Sequence, residues 1–268
     1  MIDTFVNDRT LHVCAIRRSG HHAVIQWIVA NSGVASYFLN DCEPRRNPYV
    51  GQRVLNNRFP AGFDIDAERT GRWSHKPLLV CAYEDQDLPN VYPPWFAPAM
   101  EQWIGPSVDT THVLVLRDPF NLFASKYRWA LGTKWKPSLE ELTTLPELWK
   151  AYAYEFLDRT SHVPRPMVAI SYNQWFADAE YRRTLALTLG LGTTDKGRDR
   201  IARWGPNTWG DSFDNLTYDG RASEMKVLDR WQLVADQPFY RSLVSDPELM
   251  ELSTAIFGSI PGTEQFAR

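Results

Sequence analysis

LHVCAIRRSGHHAVIQWIVA, residues Leu11 to Ala30, decides how the rest of the chain is read. Leu11, Val13, Cys14, Ala15 and Ile16 form a short apolar run of buried-strand length. It stops at Arg17-Arg18-Ser19-Gly20-His21-His22. A nearly wholly apolar run from Ala23 to Ala30 follows, and Asn31-Ser32-Gly33 ends it. Strand, tight glycine-containing turn and buried helix is the layout of a phosphate-cradling loop. Successive backbone N–H groups and the positive helix end face one anion there, and Gly20 lets the backbone come close. Arginines stand where a P-loop carries its lysine, and no Gly-x-x-x-x-Gly-Lys-Ser/Thr is present. The alternative is an ordinary strand-turn-helix with a basic pair at the surface.

Working outward, further apolar runs at Ala35 to Leu39, Leu78 to Tyr83, His112 to Leu116 and Met167 to Ser171 read as strands. Helical patterns separate them. Pro93-Pro94 opens a short helix through Trp103. Asp118 is an N-cap with Pro119 at the first helical position; Phe120, Phe123, Ala124 and Tyr127 then share a core face, while Asn121, Ser125 and Arg128 share another. Ser138 to Glu141 is a capping box, Pro146 restarts that helix, and the helix runs to about Leu157. Helical spacing returns from Glu180 to Leu189. It appears again after Ser223, with Val227, Leu228, Trp231 and Val234, and after Asp246-Pro247, with Leu249, Leu252, Ser253 and Ile256 inward and Gly258 as the stop. Arg203 to Arg221, rich in Gly and Asn, reads as a loop. The stretch at about 41–77, rich in Arg, Asn, Pro and Gly, reads as a loop-rich substrate excursion.

Short buried strands alternating with helices imply an α/β fold: one P-loop-like domain over 1–268, with a central parallel sheet flanked by helices. Ligands of such sheets bind beyond the carboxyl ends of the strands. Arg17 to His22, Glu84-Asp85, Arg117 and Tyr172 all fall there.

The 268 residues are 44% apolar and 23% charged with a net charge of −3, so no extended basic surface for nucleic acid is expected. Three cysteines, Cys14, Cys42 and Cys81, cannot all pair, which points to free thiols in a reducing compartment. No apolar leader and no membrane-length run is seen, so a cytoplasmic protein without membrane contact is expected. Trp73, Trp95, Trp103, Trp129 and Trp135 read mainly as core, with one or two left to line a pocket. No cysteine-histidine cluster has zinc spacing. A metal pair at His21 and His22 is disfavoured, because neighbours at a helix start point apart and no third ligand is evident.

Two motifs together resemble the sulfotransferases that use 3′-phosphoadenosine 5′-phosphosulfate (PAPS), of the bacterial cytosolic type. The 5′-phosphosulfate loop of that family reads roughly Lys/Arg-Ser-Gly-Thr-Thr; here the residues are Arg18-Ser19-Gly20-His21-His22. The family's 3′-phosphate motif places an Arg at a strand end and a Ser eight residues on in the next helix, matched by Arg117 and Ser125 within RDPFNLFAS. A Tyr at a further strand end lies near the adenine in the family and corresponds to Tyr172. Three features depart from the pattern. Both loop threonines are histidines, the stacking aromatic after the loop is Ala23, and the C-terminal Arg-Lys-Gly loop is missing, with Gly220-Arg221 as its nearest substitute.

The resemblance implies a sulfotransferase fold, PAPS as sulfuryl donor with PAP as product, no metal, and a small-molecule acceptor hydroxyl or amine. A specialised metabolite fits, with the chain acting as monomer or homodimer. Arg17, Arg18, Ser19, Gly20, His21 and His22 would hold the 5′ anion, Arg18 being placed at the bridging oxygen, and Arg117 and Ser125 the 3′-phosphate. A general base is also required. Glu84 follows a strand at the correct end and comes first, then Asp85, then His22; the alternative for Glu84 is a plain arginine partner. His75, in Ser74-His75-Lys76-Pro77, resembles the family's base motif but precedes its strand. Two rivals stand beside this reading. A P-loop kinase or NTPase lacks its lysine and its magnesium-binding Ser/Thr, and a non-catalytic nucleotide-binding protein leaves Glu84 unexplained.

Overall fold

A strand covered on both faces needs apolar side chains at successive positions, and β1 (Asn7–Ala15) supplies them. Its Leu11, Val13 and Ala15 point into one core layer, and Cys14 points into the other. In the computed structural model, which describes residues 5–50, 58–132, 137–200, 218 and 220–267, β1 is the centre of a five-stranded sheet. The other strands are β2 (Ser36–Leu39), β3 (Leu78–Glu84), β4 (Ser107–Leu116) and β5 (Met167–Ser171). The order is β2-β3-β1-β4-β5 and every pairing is parallel.

Helix α1 (His21–Ser32) covers one face with α8 (Tyr172–Ala177) and α9 (Ala179–Thr188), burying Trp27, Ile28, Trp175 and Leu185. The other face is covered by α4 (Phe96–Ile104), α5 (Pro119–Ala130), α7 (Leu145–Phe156), α10 (Pro238–Val244) and α11 (Pro247–Phe257), which bury Phe123, Trp149, Tyr240 and Leu249. Shorter helices α2 (Ile65–Arg69), α3 (Leu88–Val91) and α6 (Leu139–Leu142) fill the connections.

Register positions the site. Ala15 lies opposite Glu84 and Val115, and Leu116 lies opposite Ser171. The residues that leave the sheet at that edge are therefore Arg17, Asp85, Arg117 and Tyr172. The excursion after β2 carries α2, whose Glu68 forms a buried 2.8 Å pair with Lys76; residues 51–57 lie outside the described residues.

Two readings need correction. The apolar spacing after Ser223 predicts a helix, but only 3-10 turns form, at Ala222–Glu224 and Arg230–Leu233. The Val227 and Leu228 carbonyls accept hydrogen bonds from Arg117 Nη2 and, at 2.9 Å, from Asn121 Nδ2, so Arg117 and α5 take the acceptors that a helix ladder would use. Arg128 does not join Asn121 and Ser125, which are buried, but is exposed. Most of the predicted 203–221 loop lies outside the described residues. Cys14, Cys42 and Cys81 are free and buried, and among the described residues no helix is long and apolar enough to cross a membrane.

The core holds one polar stack. His12 and His112 are register partners on β1 and β4, their rings 5.3 Å apart and 20° from parallel, hydrogen-bonded to Tyr83 Oη (3.2 Å) and Tyr92 Oη (3.3 Å). Burial pulls His112 down to about 4, and burial with the neighbouring His112 holds His12 well below the usual imidazole range. Both rings are neutral in the fold at pH 7. As pH falls through about 6.5, the unfolded chain takes up protons that the fold refuses, so stability falls until pH nears 4. Chemical denaturation between pH 7 and 4.5 should show a loss of roughly 2 kcal/mol attributable to His112 alone. A His12→Gln, His112→Gln double variant should flatten that part of the slope.

Candidate active site

The loop between β1 and α1 is built by two left-handed residues, Arg18 (φ 80) and Gly20 (φ 84). The first curls the chain so that Ser19 N–H returns to the Ile16 carbonyl at 3.0 Å. Gly20 is the α1 N-cap position and offers no side chain to the first-turn amides. Elsewhere Asp64, Asp118, Asp178 and Asp246 cap α2, α5, α9 and α11 with carboxylates. The α1 N-terminus thus keeps its partial positive charge and has no acidic residue in its first turn. Tyr172, first residue of α8, packs against Gly20: a Cβ at Gly20 would stand 2.1 Å from the Tyr172 ring. Tyr172 is in turn stacked on Trp175 at 5.7 Å, so the ring has little room to retreat. Gly20→Ala should therefore cost about 2 kcal/mol or more in thermal or chemical denaturation. Adding Tyr172→Ala should return part of that loss.

Arg117 leaves β4 and is 1% exposed. Its Nη1 reaches the Arg18 carbonyl at 3.1 Å and Ser125 Oγ at 3.3 Å, its Nη2 reaches the Val227 carbonyl, and its Nε is buried without a partner. No carboxylate pairs with this guanidinium among the described residues; its face lies 5.4 Å from the Tyr172 ring centre. Burial lowers its proton affinity, with Tyr172 and Asp118 opposing. Arg18 is pulled down to about 10, first by burial and then by the charge of Arg117. The charge of Arg117 thus bears on Arg18 beside an uncapped helix end, with Glu84 opposing it. Arg230, at 9% exposure, adds a third: its Nη1 is 3.2 Å from Ser125 Oγ.

The second half of the site is acidic. Glu84 ends β3, is 4% exposed, and is surrounded by donors: Arg17 Nε on Oε2, with His21 Nε2 (2.8 Å) and His22 Nε2 (2.9 Å) on Oε1. Burial would raise its carboxyl, but the two imidazoles outweigh this and hold it well below the usual range. Burial and His21 bring His22 down to about 4 against the pull of Glu84. Arg17 also meets Asp41 Oδ1 at 2.9 Å, and its backbone N–H meets Asp85 Oδ1 at 2.8 Å. Lys126, buried on α5, donates to the same Asp85 oxygen at 2.6 Å.

The structure therefore brings together Arg17, Arg18, Ser19, Gly20, His21, His22, Glu84, Asp85, Arg117, Ser125 and Tyr172. Ala23 sits on the first turn of α1, with its N–H on the Gly20 carbonyl at 2.9 Å. His21 and His22 do not point apart as expected: both rings turn to Glu84 with centres 4.1 Å apart. Gly220 and Arg221 are exposed, Arg221 pairing with Glu224 at 3.2 Å; the segment that reaches Arg117 lies further on, at Val227 to Trp231. His75 is at the opposite end of the sheet, 2.7 Å from Asp8. Trp135 lies outside the described residues. Arg230 and Lys126 were not foreseen. Neither belongs to a motif, and only the chain's return over α5 and the depth of α5 itself bring them in. Arg198 was missed as well: it lies over Phe176 (4.4 Å) and Trp175 (5.2 Å), beside a cavity of about 400 Å³ lined also by Arg182, Asp195 and Leu228.

The architecture has a known counterpart. The sulfotransferase domain of the Synechococcus PCC 7002 olefin synthase superposes with a TM-score of 0.52 over 97% of this chain and 98% of that one, at 12% identity. This chain has the sulfotransferase fold. A mouse sulfotransferase, SULT7A1 complexed with PAP, is similar at a TM-score of 0.47 and 13% identity over 97% and 88% of the two chains, too loosely to bear on any residue. No protein-family model and no curated protein matches the sequence.

Proposed function

We propose that the chain transfers a sulfuryl group from PAPS to a hydroxyl or amine of a small molecule. One observation carries the reading: Arg117, buried and paired with no carboxylate among the described residues, touches both the Arg18 carbonyl (3.1 Å) and Ser125 (3.3 Å), so two basic groups meet where the sheet opens. The unpartnered Arg117 Nε and the uncapped α1 N-terminus fit a ligand with two separate anionic ends. Arg117, Ser125 and Arg230 would hold a 3′-phosphate. Arg18 and the amides at the start of α1 would hold the 5′ end, where charge builds on the leaving oxygen.

PAPS would supply an activated sulfuryl group. The S–O bond to the phosphate oxygen breaks as a bond from sulfur to the acceptor oxygen or nitrogen forms, and PAP leaves. The acceptor proton needs a base. Glu84 is held too far below its usual range to take it directly. His22 is also held low, at about 4, but it is the member of the cluster with a 32% exposed side chain; Glu84 fixes its orientation and would compensate the imidazolium that forms. Asp41, Glu84 and Asp85 beside the loop favour a polar acceptor.

Titration calorimetry tests the reading before any acceptor is known. PAP is expected to bind without magnesium and much more tightly than ADP. Equal affinities for the two nucleotides would remove it. Screening acceptor pools with labelled donor then identifies the second substrate.

A further inference from the structure

Successive side chains at a helix start are turned about 100° apart, yet His21 and His22 direct both Nε2 atoms at Glu84 Oε1, at 2.8 and 2.9 Å. These three ligand atoms lie within 4.8 Å of one another, and among the described residues no other group of three histidine, cysteine or acidic side chains does so. Two imidazole nitrogens and one carboxylate oxygen suit a borderline first-row ion better than magnesium, which prefers oxygen throughout.

The outer groups of His21 and Glu84 are also in place. A ligating histidine needs its other ring nitrogen held, and a ligating carboxylate needs its other oxygen held. Ser19 Oγ is 3.3 Å from His21 Nδ1, and Arg17 Nε holds Glu84 Oε2. With its proton on Nδ1, donated to Ser19, His21 presents a lone pair at Nε2. The ligands come from the start of α1 and the end of β3, so the site is rigid. The 32% exposed side chain of His22 gives an ion a way in.

Arg17 is the opposing term, since its charge lies beside the carboxylate. Asp41 (2.9 Å from Arg17) and Asp85, which also binds Lys126 at 2.6 Å, offset it. A dication would therefore join a cluster whose other charges nearly balance.

We propose that His21, His22 and Glu84 form a binding site for a divalent transition-metal ion, zinc being the best fit, with its remaining positions open to water or an anion. On binding, the ion replaces the two imidazole-to-carboxylate hydrogen bonds and each ring carries its proton at Nδ1; nothing is oxidised or reduced. The site stands on geometry alone and does not depend on sulfuryl transfer.

The test is calorimetric titration of the full chain with zinc alone, paired with cobalt(II) as a visible-absorption probe. One ion per chain is expected. Affinity should fall at least about tenfold in His22→Ala and in Glu84→Ala, and about tenfold in Ser19→Ala through the lost outer contact. The cobalt bands should change in His22→Ala, which alters the half-exposed ligand and keeps the test open if Glu84→Ala does not fold. No saturable zinc binding to the intact chain, or binding of unchanged affinity in His22→Ala, would overturn the site.

Discussion

Replacing Arg117 with alanine is expected to weaken PAP binding by about 10²- to 10⁴-fold while changing ADP binding little. Each hydrogen bond from a charged group contributes about 1.5–3 kcal/mol, and a buried guanidinium offers two to one phosphate. ADP has no 3′-phosphate and so loses nothing of that kind. The side chain also holds the carbonyls of Arg18 and Val227, so removing it disturbs the loop as well as the anion site. ADP affinity is therefore the internal control. If both nucleotides lose affinity in parallel, Arg117 is a strut for the loop and not a phosphate ligand. Lysine at the same position keeps the charge but not the planar fork that reaches Arg18, Ser125 and Val227 together, and should fall between the two. Calorimetry on the three proteins decides the point.

Much of this arrangement was legible in the chain because single-residue rules agreed with one another. Met167 to Ser171 is apolar up to its last residue and forms β5 with those same bounds. Asp118 and Pro119 announce α5, and Asp118 does accept from the Asn121 amide at 2.8 Å. Strand ends carrying Arg17, Glu84 and Arg117 follow once the sheet is parallel and the register aligned. What failed was non-local. Val227 to Val234 has helical spacing, but Arg117 and α5 compete for its carbonyls. Lys126 stands between Ser125 and Tyr127 with nothing in the sequence to show that it is buried, and Asp85 is the partner that makes burial tolerable. The convergence of His21 and His22 depends on a carboxylate 63 positions away from His21, and no periodicity records that.

Glu84→Gln is expected to lower kcat by about 10²- to 10⁴-fold, the range for loss of acid–base assistance, with little change in PAP affinity. Glutamine keeps the shape at the end of β3 but removes the charge facing His21 and His22. If His22 accepts the proton, its imidazolium is stabilised chiefly by that carboxylate. The two residues then act as a unit, and the Glu84→Gln, His22→Ala double variant should be no slower than His22→Ala alone. If Glu84 instead takes the proton itself, the losses should multiply, and the assignment of His22 fails. Stability separates a catalytic loss from a structural one. Breaking a buried ion pair from one side typically costs about 3–5 kcal/mol. Arg17, however, keeps Asp41 at 2.9 Å and Asp85 nearby, so the denaturation midpoint of Glu84→Gln should fall by much less than that range implies. A large fall in the midpoint with an unchanged rate per folded molecule would make Glu84 the keystone of the fold's edge, and the proton would have to leave by way of Asp85.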